Sequence, residues 1–146
     1  MTLLVIVGVV LVLCGALENR RRKARIEAVF AGRERLSPEQ FYERYFQEKG
    51  VPFLIVSGVR QILEEQLGAD LACMSAEDDF SGNLQFFLSF NDMADIEIVE
   101  ALESHFEVSI TDAEAAGTHT VSDIVSLIHS KRPNGEAAPV SDSKEI

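Results

Sequence analysis

An uncharged apolar stretch opens the chain, and a cluster of cations follows it. Residues 1 to 17 carry no charged side chain, whereas residues 20 to 25 hold five Lys or Arg. Roughly 17 to 25 apolar residues are needed for a helix to cross the hydrocarbon core, so this stretch is just long enough to span a bilayer. Because the cations follow it, we expect its N-terminus to face outward. The sequence predicts a single-pass protein of the cell membrane with a cytoplasmic domain.

Charge divides the chain into a basic and an acidic part. Residues 1 to 36 contain seven Lys or Arg and three Asp or Glu, whereas residues 37 to 146 contain six and twenty-one. We expect the basic juxtamembrane segment 18–36 to lie on anionic lipid headgroups. The acidic part lacks the positive surface that nucleic acid requires, so a basic protein is the expected partner and nucleic acid is not.

The rest of the sequence predicts helices with clear starts and stops. Ser37-Pro38-Glu39-Gln40 combines an N-cap serine, a proline at the first helical position and a glutamine placed for a capping box. It opens a short amphipathic helix within residues 37–50, whose aromatic face consists of Phe41, Tyr42, Tyr45 and Phe46. Further helices are predicted at about 52–67, 92–106, 112–116 and from 121 onward, with a long connection over 69–90. The polar tail 131–146 is predicted to be disordered.

The predicted helix at 92–106 is amphipathic and acidic. Its inward face is predicted to consist of Met93, Ile96, Val99, Leu102 and Phe106, and its outward carboxylates are Asp95, Glu100 and Glu103. By charge alone, such carboxylates fit a solvated surface and a docking surface equally well.

The sequence shows no pattern of a metal site or of an enzyme. His105, His119 and His129 fall in different predicted elements, without the spacing of metal ligands. The two cysteines, Cys14 and Cys73, are too few for a disulfide framework or a cysteine-based metal site. A Gly-rich phosphate loop and a recognisable nucleophile are also missing. We therefore expect a protein without enzymatic activity and without a metal.

The order of these elements resembles an acyl carrier protein over residues 51–130. Residues 59–68 are similar to the first helix of that family, and Ala76-Glu77-Asp78-Asp79-Phe80 is similar to its acidic turn. Residues 96–106 resemble the second helix, by which carrier proteins engage their enzymes, and the segments 108–114 and 120–125 resemble those that close the fold. The resemblance implies an all-α, four-helix carrier-like bundle, preceded here by the transmembrane helix and the short aromatic helix.

The resemblance also shows where this chain departs from the family's chemistry. Carrier proteins attach phosphopantetheine to the serine of an Asp-Ser-Leu motif at the start of the second helix, and Asp92 stands at that position here, within Asn91-Asp92-Met93. A carboxylate does not accept the phosphoester as a hydroxyl does, so we expect no cofactor. Ser89 is the nearest hydroxyl upstream and the alternative attachment site. The added phenylalanines of the connection, Phe86, Phe87 and Phe90, are expected to fill or cover the groove for an acyl chain.

The expected function is that of a membrane-anchored docking or adaptor module for a basic partner, with partner-binding residues Asp92, Asp95, Glu100 and Glu103. Two alternatives remain open at this point. One is a membrane-localised acyl carrier of lipid or polyketide synthesis that uses Ser89. The other is a structural membrane protein that self-associates through the aromatic helix from Phe41 to Phe46.

Overall fold

The computed structural model describes residues 1–89 and 93–132, and the Ser89 side chain is not among the described groups. The chain divides into two compact units, Met1–Arg33 and Glu34–Ile146. The predicted boundaries at 36/37 and 50/51 do not coincide with this division. Residues 37–50 belong to the same unit as the predicted carrier-like domain.

The first unit is built on one helix, α1, which covers Thr2–Val29. This helix is long and apolar enough to cross a membrane, and none of its apolar window is buried. Its length and its apolar composition are those of a candidate membrane-spanning helix. The helix continues without a break through the cations at residues 20–25.

The described residues of the second unit are helical and contain no strand. A single bridge joins Asp79 to Thr120. A 3-10 turn at Gln47–Lys49 follows the first helix of this unit. The α-helices are α2 Pro38–Tyr45, α3 Phe53–Leu67, α4 Gln85–Ser89, α5 Ala94–Phe106, α6 Asp112–Ala116 and α7 Val121–Lys131. The prediction of an all-α fold is therefore confirmed for the described residues.

Capping boxes fix where three of these helices begin. The Ser37 hydroxyl accepts the N–H of Gln40 while the Gln40 side chain accepts the N–H of Ser37, which confirms the predicted start of α2. Thr120 and Asp123 make the same reciprocal pair at α7. A third box, at the start of α6, was not predicted and joins Thr111 to Glu114. Each box satisfies backbone donors that a helix leaves unpaired in its first turn.

Helix α3 forms the centre of the second unit and packs against α2, α5 and α7. Its buried positions occur around most of its circumference and include Ile55, Val59, Ile62 and Leu63. Gly58 allows α5 to approach closely, because a Cβ at this position would lie 2.8 Å from Cζ of Phe106. The helix ends at Gly68, whose left-handed conformation (φ 57°) suits glycine.

A buried arginine holds the segment that leads into α2. Arg60 is only 5% exposed, and its Nη2 donates to the carbonyl of Leu36 at 2.9 Å. Its guanidinium also lies over the ring of Phe41, 5.5 Å from the centroid. The Leu36 side chain is buried, and its N–H donates to the Ala72 carbonyl at 2.8 Å. Residues just before α2 are thus an integral part of the fold.

The aromatic residues of α2 pack inside the unit. Phe41 and Phe46 are each 1% exposed, and the Tyr42 ring meets the edge of Phe53 at 5.4 Å. Tyr45 is half-buried against Phe41, at 5.1 Å between ring centroids. The hypothesis of self-association through this helix therefore lacks an exposed aromatic face to act through.

The long connection between α3 and α5 is ordered by contacts with α7. The N–H of Phe80 donates to His119 O at 2.9 Å, and the N–H of Ser122 donates to Ala76 O at 2.8 Å. Buried Asp78 accepts from the backbone N–H of Ser75. These bonds satisfy polar groups inside the unit, as burial requires.

The predicted tail 131–146 overlaps the described residues at two positions, and the prediction of disorder is wrong at both. Helix α7 includes Lys131, and Nε of Arg132 donates to the carbonyl of Phe106 at 2.7 Å. Residues 133–146 lie outside the described residues.

Candidate interaction surface

Helix α5 has a buried stripe and an exposed face. The buried positions are Ala94, Ile98, Leu102 and Phe106, which repeat every four residues. Residues with this spacing line one side of a helix, here the side that packs on α3. After Phe106, Glu107 takes a left-handed conformation (φ 51°) that ends the helix.

The prediction of the inward face was wrong at two positions. Met93 and Ile96 are 52% and 46% exposed, while Leu102 and Phe106 are buried as predicted. Ala94 and Ile98 fill the interior instead. The apolar residues of this helix outnumber the places on one stripe, and the buried stripe includes Phe106, whose ring lies close to Gly58 of α3.

Exposed carboxylates occur in the same part of the helix as the two exposed apolar residues. Glu97 and Glu100 share their side of the helix, and Asp95 is exposed in the first turn. We name the set Met93, Asp95, Ile96, Glu97 and Glu100 the α5 outer face. Carboxylates in the first turn interact favourably with the positive N-terminal end of the helix dipole. Asp95 and Glu97 therefore stabilise the helix and also make its surface acidic.

Glu103 has a different environment from the other predicted partner-binding carboxylates. It is half-buried, and its Oε1 accepts the N–H of Ile110 at 2.7 Å. This bond fixes the chain that leaves α5, so Glu103 has a structural role and is a poorer candidate for contact with a partner. Asp92, the remaining predicted residue, lies outside the described residues.

The described cations of the second unit are engaged away from Asp95 and Glu100. Ion pairs between such groups neutralise local charge, so a carboxylate without one keeps its full field at the surface. The partners are Asp70 for Arg35, Glu34 for Arg44, the Phe46 ring for Lys49, the Leu36 carbonyl and Glu64 for Arg60, Glu114 for Lys131 and Glu107 for Arg132. The α5 outer face is consequently an acidic surface with an apolar centre.

Other predicted site residues contribute to structure. Phe86 and Phe87 are buried and stack at 4.4 Å, so these two phenylalanines are part of the core beside α5. Ser89 is the last residue of α4. Nδ1 of His119 lies 2.9 Å from the Ser81 hydroxyl, and the ring of His105 packs on Phe106. Within residues 1–89 and 93–132, no group of three His, Cys, Asp or Glu side chains could hold a metal ion.

Comparison with known proteins identifies no family. No protein-family model matches this sequence. No solved structure gives a significant match to the fold. The resemblance to acyl carrier proteins therefore stays a prediction from the sequence.

Proposed function

We propose that this chain is a membrane-anchored docking module, in which α1 holds the protein at a bilayer and the α5 outer face binds a basic partner protein. The observation that carries the proposal is the exposure of Met93 and Ile96 among acidic side chains. An apolar centre with a charged rim is the usual composition of a protein interface. The resemblance adds support, because the matching helix of carrier proteins is the one that engages their enzymes.

The two kinds of residue on this face have different roles in the proposal. Met93 and Ile96 supply affinity, because their apolar surface leaves water on binding. Asp95 and Glu100 orient a basic partner and speed its approach, since complementary charge acts mainly on association rate and specificity. The partner surface should therefore combine an apolar depression with Lys or Arg around it.

Photo-crosslinking from this face tests the proposal in the full chain. With a photoreactive residue in place of Ile96, we expect a crosslinked partner in native membranes, and with the same residue in place of exposed Glu65 on α3 we expect none. Glu97→Lys with Glu100→Lys should abolish the Ile96 crosslink, whereas Glu65→Lys should leave it intact. A crosslink that survives the double reversal would contradict a basic partner.

We also propose that the chain acts without phosphopantetheine, because Asp92 replaces the serine that carrier proteins modify. After co-expression with a broad-specificity phosphopantetheinyl transferase, we expect an unmodified intact mass. Asp92→Ser provides the matched control, since it should gain one phosphopantetheine if the domain is carrier-like. Modification of the natural chain at Ser89 would overturn this proposal and favour an active carrier.

A further inference from the structure

The basic part of α1 presents a face that complements the α5 outer face. Arg21 and Arg25 are both exposed, and their spacing of four residues places them on one side of the helix. Ala24 and Ala28 are also exposed and lie beside them on that side. We name the set Arg21, Ala24, Arg25 and Ala28 the α1 basic face. It combines two cations with side chains small enough to let another helix approach.

The dimensions of the two faces are compatible. At a rise of ~1.5 Å per residue, Arg21 and Arg25 are separated by about 6 Å along their helix axis, and Glu97 and Glu100 by about 4.5 Å. Flexible side chains span the difference, so both cations can meet both carboxylates at once. The alanines leave room for Met93 and Ile96, which are otherwise exposed to water.

We propose that the α5 outer face of one copy binds the α1 basic face of a second copy in the same membrane. This inference rests on the proposed function, since it names the basic partner as another molecule of this chain. Confinement to one membrane raises the effective concentration of each copy for the other, which favours contacts of modest intrinsic affinity. The contact joins two different surfaces. In a pair of copies, one α5 outer face and one α1 basic face therefore stay unoccupied, and further copies can bind to them.

The contact is tested with two variants, each of which has the charges of one face reversed. The full chain, labelled at its C-terminus with a donor or an acceptor fluorophore, is reconstituted into phosphatidylcholine vesicles, whose zwitterionic headgroups compete little for Arg21 and Arg25. We expect energy transfer above that of a non-interacting membrane peptide at the same density. Glu97→Lys with Glu100→Lys should reduce it to that baseline, and so should Arg21→Glu with Arg25→Glu. Mixing the two variants should restore it.

A matched control separates specific pairing from net charge. Glu39→Lys with Glu43→Lys changes two exposed carboxylates of α2 by the same total charge and should leave energy transfer unchanged. Arg20, Arg22 and Lys23 remain in the Arg21/Arg25 variant, and protease accessibility of the domain checks that its orientation is kept.

Three results would overturn the inference: baseline energy transfer in the natural chain, insensitivity to both double variants, or failure of the mixed variants to recover. Suppose that neither double variant changes energy transfer, while Glu97→Lys with Glu100→Lys abolishes the Ile96 crosslink to another protein. The proposed function then stands and self-assembly is excluded. If instead that crosslink to another protein survives Glu97→Lys with Glu100→Lys, while the mixed variants recover energy transfer, a separate basic partner is excluded and self-assembly stands.

Discussion

Helices α2 and α5 make opposite use of their apolar residues. The aromatic face of α2 is predicted to pack on a neighbouring domain, with a membrane-surface or partner role as the alternative, and Phe41 and Phe46 are 1% exposed. In α5, Met93 and Ile96 read as core residues, yet about half of each side chain is exposed. Periodicity establishes that a helix has an apolar side, but the neighbouring helix decides which side chains it covers.

The contrast has an energetic meaning. Burial of an apolar side chain stabilises the fold, whereas an exposed one leaves the same free energy available for binding. Substitutions in α2 should therefore act on stability, and substitutions on the α5 outer face should act on association.

Truncation of the α2 core residue should be the most damaging change. Phe41→Ala removes a fully buried ring that contacts Tyr45 and Phe46, and we expect a loss of about 3 to 5 kcal/mol in the free energy of unfolding. Urea denaturation of the fragment Glu34–Ile146, followed by circular dichroism, measures it. A loss below about 1 kcal/mol would mean that α2 is not part of the core.

Removal of the arginine beneath α2 should have the next largest effect. Arg60→Ala deletes a buried charge-assisted hydrogen bond to Leu36 and the contact with the Phe41 ring, for an expected loss of about 2 to 3 kcal/mol. Arg44→Ala is the control, because its ion pair with Glu34 is solvent-exposed and such pairs contribute little. Equal effects of the two variants in the same urea assay would contradict the structural role of Arg60.

Acid should weaken the second unit through a capping carboxylate. The N–H groups of Thr120 and His119 donate to Asp123 and hold its pKa below the usual value of about 3.9. A lowered pKa in the folded state gives stability that is present above the unfolded value and lost as the pH falls through the folded pKa. Melting temperature should therefore drop below about pH 4, and less steeply for Asp123→Asn. An equally steep drop in both proteins would contradict the role of Asp123.

The smallest effect on stability is expected on the α5 outer face. Ile96→Ser should change the free energy of unfolding by no more than about 0.5 kcal/mol, because the side chain already contacts water. Ile98→Ser, two residues further along and buried, is the matched control and should be strongly destabilising. A large loss for Ile96→Ser, measured by the same denaturation, would remove the distinction between the two faces.

The sequence is sufficient to predict those helix starts and ends that depend on neighbouring residues. The capping box of Ser37 and Gln40 and the glycine that ends α3 depend on residues within one helical turn, and the structure has both. The short helix α4 occupies five residues of the predicted connection, too few for periodicity to be recognised.

The features that decide the candidate surface are not local. Gly58 and Phe106 lie far apart in sequence, and they come into close contact on the buried side of α5. In the sequence, Glu103 and Glu100 are two glutamates of the same predicted outward face. They differ in the structure, because the chain after α5 turns and the N–H of Ile110 donates to Glu103. Burial of Arg60 is equally hidden, since a charged residue is ordinarily assigned to the surface.

The attachment of Leu36 to the second unit also determines where the chain can be cut without damage to this unit. A protease that cuts before Glu34 would release a unit with every contact of this segment intact. A cut after Leu36 would remove the carbonyl that Arg60 binds and the side chain buried beside it, and Glu64 would be left as the ion-pair partner of the guanidinium. Cleavage three residues further along the chain would thus release a less stable unit.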